Sequence, residues 1–136
     1  MGEITVNIHL ENTLDRLIAR TDKSRQVRSY DMEAVVDTGA VMLMLPQDVV
    51  EELELPFQRR ATVRFAEERR DILDVAGPVT IEILGRSMEA NCLVGPPGSE
   101  ALVAQIQLEQ LDLIADCQSR EIYPREDSPY PTLKVK

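Results

Sequence analysis

The chain has 136 residues, 43% of them hydrophobic and 29% charged, which suits one domain with a single compact core. A net charge of −9 argues against nucleic-acid binding by phosphate neutralisation, which needs clustered Lys and Arg. No apolar run approaches the roughly 18 residues of a membrane span. The first residues, Met1 to Thr5, lack the basic and apolar segments of a signal peptide, so no membrane association and a cytoplasmic location are expected.

With two Phe, three Tyr and no Trp, the core has to be built from Val, Ile, Leu and Met, a composition that leans towards strands. Ile4, Val6, Ile8 and Leu10 alternate with polar residues, the period-two pattern of a half-buried strand. His9, the only histidine, falls on the polar side of that strand, where a structural or solvated role is expected. Over residues 11–28, Leu14, Leu17 and Ile18 have helical spacing in a polar stretch, so a helical turn and a long loop are both open. Tyr30, Met32 and Ala34 alternate and lead through Val35-Val36 to Asp37-Thr38-Gly39.

Val41-Met42-Leu43-Met44-Leu45 is a continuous apolar run between Gly39 and Pro46, which predicts a buried strand. Pro46 suits the first turn of a helix whose stripe is Val49, Val50 and Leu53, stopped at Leu55-Pro56. Long hairpins are expected next. Ala61, Val63 and Phe65 alternate, Ala66-Glu67-Glu68-Arg69 breaks the pattern, and Ile72 to Val75 resume it. Gly77-Pro78 kinks the chain before Val79, Ile81 and Ile83, and Leu84-Gly85-Arg86 turns it into a strand over 88–94. Gly95-Pro96-Pro97-Gly98 is a firm breaker. Leu102-Val103-Ala104 is a short apolar segment, Ile106 to Leu111 fits a short helix, and 113–124 reads as a closing hairpin. Residues 125–136 are Pro-broken and charged, as in a flexible tail or an extended arm. The expected fold is mostly β with one or two short helices.

Cys92 and Cys117 are too few and too far apart for a zinc site. Cys92, in an apolar strand, reads as small buried packing, and two free thiols are expected in a reducing compartment. There is no glycine-rich phosphate loop, and acids such as Glu51-Glu52 are adjacent rather than helically spaced. No metal and no cofactor are expected.

Asp37-Thr38-Gly39 alone is a short motif, since Asp and Gly favour turns for backbone reasons. Its setting is more specific. Apolar Ala34-Val35-Val36 precedes it and a second apolar run follows, which predicts a carboxylate in a tight loop between two buried strands. Burying an unpaired carboxylate there is costly, so the acid is expected to have a chemical role.

In this order the residues resemble the active-site loop of retropepsin-like aspartic proteases, the single-domain relatives of the retroviral enzymes. The resemblance extends over about residues 3–124. Leu45-Pro46 and the helix after it, Gly77-Pro78-Val79 and Leu84-Gly85-Arg86 are similar to later segments of bacterial members. Leu102-Val103-Ala104 falls where the family has two hydrophobic residues and a Gly, in the strand beneath the active-site loop.

The resemblance implies a closed β-barrel acid-protease fold over residues 1–124. It further implies an endopeptidase that acts on peptide or protein substrates as a homodimer, because each chain brings one Asp where the reaction needs two sharing a proton. Asp37 is then the catalytic carboxylate. Thr38 would link the two loops, Gly39 would admit the substrate backbone, and Ala40 would complete the loop. Leu102, Val103 and Ala104 would support it from below, and Ala66, Glu67, Glu68 and Arg69 would form the flap.

Three positions depart from the family pattern. Ala104 replaces a Gly, so its methyl would crowd the loop unless the chain shifts. Val41 stands where many relatives carry a hydroxyl, and Glu67-Glu68 where they often carry Asp-Gly. These departures support a second expectation: a protease-like dimerisation or peptide-binding module with little or no catalysis.

Overall fold

The structure, a computed structural model, describes residues 3–125 and 128–135. Met1 and Gly2 of the expected domain, and Glu126, Asp127 and Lys136 of the expected tail, lie outside the described residues. Among the described residues nine strands and three short helices, where one or two helices were expected, follow one another: β1 (Thr5–Asn12), α1 (Thr13–Ala19), β2 (Ser29–Asp37), β3 (Met44–Pro46), α2 (Gln47–Glu52), β4 (Phe57–Arg64), β5 (Arg70–Ile83), β6 (Arg86–Gly95), β7 (Ala101–Ala104), α3 (Gln105–Leu111), β8 (Leu113–Asp116) and β9 (Glu121–Pro124).

Six strands close into a barrel in the order β1-β2-β7-β3-β6-β5. The ring is sealed where β5 returns to β1, with Glu82 opposite His9 and Val79 opposite Asn12. Closure joins the two ends of the six-strand ring and leaves one row of side chains from each of its strands pointing inwards. Leu10, Leu43, Leu45, Ile81, Ile83 and Val103 fill that interior, each no more than 1% exposed. Each contributes about 1.5–3 kcal/mol by leaving water. Strand β4 stands outside the ring and, among the described residues, pairs only with β5, and β8 and β9 form a separate hairpin.

Several details differ from the sequence expectations for physical reasons. The apolar run 41–45 is not a buried strand throughout. Only Met44–Pro46 joins the sheet, and Val41 is 84% exposed. The turn at Asp37–Ala40, closed by the Ala40 N–H on the Asp37 carbonyl, delays the strand and leaves Val41 and Met42 facing a cleft. The irregularity expected at Gly77-Pro78 is present, but β5 runs on through it and takes it up as a register shift against β6. A Cβ at Gly77 would lie 2.5 Å from the Asn91 Oδ1, so close strand approach requires glycine there. At the next turn Leu84 and Gly85 both take positive φ, 52° and 79°, the pattern of a two-residue hairpin loop.

Helix α1 forms, but its apolar residues do not face the core. Leu14, Leu17 and Ile18 are 40–49% exposed, and the buried positions are Thr13 and Asp15. Polar bonds position this helix. Asn12 caps it through the Asp15 N–H, the Thr13 hydroxyl meets that of Thr80, and the Asp15 carboxylate accepts from Arg25 and from the Arg28 backbone. Beyond β9, residues 128–135 contain neither strand nor helix. They are tethered where Arg86 donates to the Ser128 carbonyl and where the Thr132 N–H donates to Asp112.

Candidate active site

Asp37 is the last residue of β2, and β2 runs parallel to β7 with Val36 beside Val103 and Asp37 beside Ala104. This parallel pairing sets the carboxylate above a fully buried step of β7, since Val103 and Ala104 are both 0% exposed. The Gly39 N–H donates to Asp37 Oδ1 at 3.0 Å, which fixes the orientation of the carboxylate. A Cβ on Gly39 would lie 3.4 Å from that oxygen, so the glycine keeps this side of the acid open.

Asp37 itself is exposed, as are Thr38 and Gly39. The expectation of a carboxylate buried between two strands is therefore corrected for the single chain. The β3 ladder starts only at Met44, and the intervening loop leaves the acid on the floor of an open cleft rather than in the core.

That cleft measures about 550 Å³. Asp37, Gly39, Ala40, Val41 and Met42 form one side, and Val63, Arg64, Phe65, Ala66 and Glu68 form the opposite side, the tip of the β4–β5 hairpin. Leu102 contributes from β7. The structure thus brings Asp37, Gly39, Ala40, Leu102, Ala66 and Glu68 together around one cavity. Glu67 and Arg69 do not line it. They pair with each other at 3.0 Å, and the Arg69 guanidinium stacks over the Phe65 ring at 4.1 Å. Thr38 instead borders a second cavity, of about 570 Å³, shared with Ile4, Val36, Leu108, Leu113 and Cys117.

The hairpin tip is a tight turn, with the Glu68 N–H on the Phe65 carbonyl and the Phe65 N–H on the Arg69 carbonyl. Glu68 takes φ of 64° there, a left-handed conformation that glycine would adopt without strain. Ala104, by contrast, has φ of −89° and ψ of 167°, ordinary extended backbone. Its N–H donates to the Gln107 side chain at 3.0 Å, which starts α3 directly beneath the loop. The backbone at position 104 therefore makes no demand for glycine.

Val63, Arg64, Phe65, Met42, Met44 and Leu93 complete the cleft and were not assigned to a site from the sequence. The alternation of Ala61, Val63 and Phe65 was the available signal, because it puts three apolar side chains on one face of a projecting hairpin.

Other ionisable groups serve the scaffold. Burial raises the Asp15 carboxyl, but the Arg28 N–H and the Arg25 guanidinium outweigh it and hold the group below its ordinary value. Arg125 holds Asp112 down in the same way. His9 bonds Glu11 at 2.8 Å and Asp31 at 2.6 Å, one through each ring nitrogen, and the Glu11 and Asp31 bonds raise its pKa. Burial pushes the Cys92 thiol up to about 12, while Cys117 is exposed; both are free. Among the described residues no cluster of three or more His, Cys, Asp or Glu is placed to hold a metal ion, and no helix is long and apolar enough to cross a membrane.

Fold and site together define a closed six-stranded barrel with an exposed aspartate on the floor of a hairpin-covered cleft. Compared with protein-family models and with curated proteins, the chain matches none.

Proposed function

We propose that the chain is one half of a retropepsin-like aspartic endopeptidase that acts as a homodimer. The observation that carries this reading is the Asp37 carboxylate itself. It is oriented by the Gly39 N–H, open to solvent, and faces an apolar cleft beneath a projecting hairpin. Asp15 is buried and ion-paired, and Asp37 is neither; Asp22 and Asp116 also accept from the N–H two residues on, but of these three Asp37 alone lines the cleft.

In the dimer, two copies of Asp37 meet across a two-fold axis and share one proton, since like charges that close cannot both ionise. The ionised carboxylate takes a proton from water, whose oxygen attacks the scissile carbonyl carbon, while the protonated one donates to the carbonyl oxygen. The tetrahedral intermediate then collapses as the amide nitrogen takes up a proton and the C–N bond breaks. The apolar walls, Val41, Met42, Val63 and Phe65, suit a peptide with aliphatic or aromatic side chains flanking the cut. The face around Thr38 is where the second chain would dock. At −9 per chain, docking is favoured by added salt, which screens the mutual repulsion.

The test is hydrolysis of an unstructured protein in mild acid and added salt. Asp37→Asn is expected to lower the rate by about 10²–10⁴-fold while sedimentation shows the dimer unchanged. Cleavage that persists in Asp37→Asn would sink the mechanism.

A second reading, peptide binding without turnover, draws on the hairpin tip. Its Glu68 lines the cleft and no glycine eases the turn. Saturable peptide binding by a dimer that leaves every peptide intact would favour it.

A further inference from the structure

Among the described residues β4 (Phe57–Arg64) is the strand of the barrel sheet that pairs with a single neighbour, β5, and its other side is open along its whole length. In an antiparallel pair, alternate residues of such a strand point their N–H and C=O groups away from the partner. Those groups can be satisfied by water or by another extended chain.

The side chains along this edge differ in sign from the rest of the protein. In a chain of net charge −9, β4 carries Arg59, Arg60 and Arg64 and no acid. All three are exposed. Arg60 lies 3.6 Å from Asp74, a contact open to solvent, whereas Arg59 and Arg64 make no ion pair among the described residues. Arg64 stands directly opposite Arg70 on β5, and like charges facing each other across a ladder repel. Two large apolar side chains flank the same strip, Phe57 at 59% and Ile72 at 64% exposure.

We propose that the β4 edge is a docking site for an extended acidic peptide that adds to the sheet as a further strand. Backbone hydrogen bonds would supply the register. Carboxylates on alternate residues would meet Arg60 and Arg64, which share one face of the strand with Ile72, and the aliphatic residues between them would lie along the Arg59, Ala61 and Val63 face. A second copy of the same edge is disfavoured as the occupant, because two arginine-bearing strands repel. Charge complementarity selects an acidic partner. The site adjoins the Asp37 cleft, whose wall includes Val63 and Arg64, but it does not depend on the chain being a protease. It does have a route to that cleft, since β4 continues into Phe65 at the hairpin tip.

The experiment uses the full chain carrying Asp37→Asn, so that no probe is consumed. The probe is a fluorescent ten-residue peptide alternating Glu with Val, compared with its Lys-Val counterpart and with a Glu-Val version N-methylated on alternate residues. Binding is read by anisotropy, and its position by amide hydrogen exchange. The Glu-Val peptide is expected to bind and to protect amides within 57–64. The Lys-Val and N-methylated peptides are expected not to bind. Arg60→Glu with Arg64→Glu, two exposed changes on one face that give up only the solvent-open Arg60–Asp74 contact, should weaken binding about tenfold or more. The proposal is overturned if the Glu-Val peptide does not bind, if the N-methylated peptide binds equally well, or if protection falls on 37–44 instead. It is also overturned if sedimentation shows that a second copy occupies the edge.

Discussion

Asp15 and Asp37 both sit beside a β-strand of the barrel, and the protein treats them in opposite ways. Asp15 is 0% exposed, and its two oxygens accept from Arg25 and from the Arg28 backbone. Asp37 is exposed, and the one hydrogen bond to its carboxylate among the described residues comes from the Gly39 N–H two residues on. A buried carboxylate is tolerable only with its partners built in, so the 20–28 loop folds back to provide them. An exposed carboxylate needs none, and Asp37 is oriented without being neutralised. The acid that holds the fold together is satisfied within the chain; the candidate catalytic acid is left to be completed from outside it.

Breaking the Asp15 side of this contrast should have the largest effect. Asp15→Ala leaves Arg25 and the Arg28 N–H facing an emptied polar site and is expected to lower stability by about 3 kcal/mol or more. Asp37→Ala should stay within about 0.5 kcal/mol. Urea unfolding of both variants checks the pair, and equal losses would erase the distinction. The acid limb of the stability curve gives a second check. Because the folded Asp15 carboxyl lies below its unfolded value of 3.8, its contribution is complete above that pH. It disappears as pH falls through the folded value, and Asp15→Asn should lose this dependence.

The same contrast separates what the sequence revealed from what it hid. Period-two alternation along 4–10 and 79–83 announced strands because a barrel wall buries one face of each; along 61–65 it marks the half-buried face of β4, outside the ring. The Asp37 loop and the Leu102-Val103-Ala104 strand beneath it were also legible, since both are contiguous and bounded by turn residues. Helix α1 was not, because Leu14, Leu17 and Ile18 set the helical spacing while the buried face is Thr13 and Asp15. Periodicity reports which residues are apolar, and this helix is held by polar bonds to residues up to 67 positions away. Loop 38–43 failed for a related reason: an apolar run facing a cleft looks like one facing a core.

Ala104 tests the floor of the site. Its extended φ and complete burial predict that Ala104→Gly is destabilising by about 1–2 kcal/mol, the sum of a lost buried methyl and a looser unfolded chain. A stability gain in thermal unfolding would show that the methyl does crowd the loop. Glu68 tests the roof with the opposite sign. Its φ of 64° is strained for any side chain, so Glu68→Gly should be stabilising by about 0.5–1 kcal/mol. Unchanged or reduced stability would mean that the Glu68 side chain makes a favourable contact in the cleft that outweighs the backbone strain.

The smallest effect belongs to His9, which spans β1 and β2 on the outer wall. Both ring nitrogens face carboxylate oxygens, at 2.6 Å to Asp31 and 2.8 Å to Glu11. Ionised carboxylates only accept hydrogen bonds, so this arrangement requires two ring N–H groups, which is the imidazolium. Its folded pKa is accordingly raised from 6.5. Between that value and the folded one the native state holds a proton that the unfolded chain has lost. The contribution of His9 is therefore complete below 6.5 and declines as pH rises through the folded value, the reverse of the Asp15 dependence. Thermal unfolding from mild acid to mild alkali should show Tm falling across this window in the wild type and running flatter in His9→Gln. Parallel curves would mean that a neutral ring holds the two strands equally well, and the outer wall would then carry no pH dependence from His9.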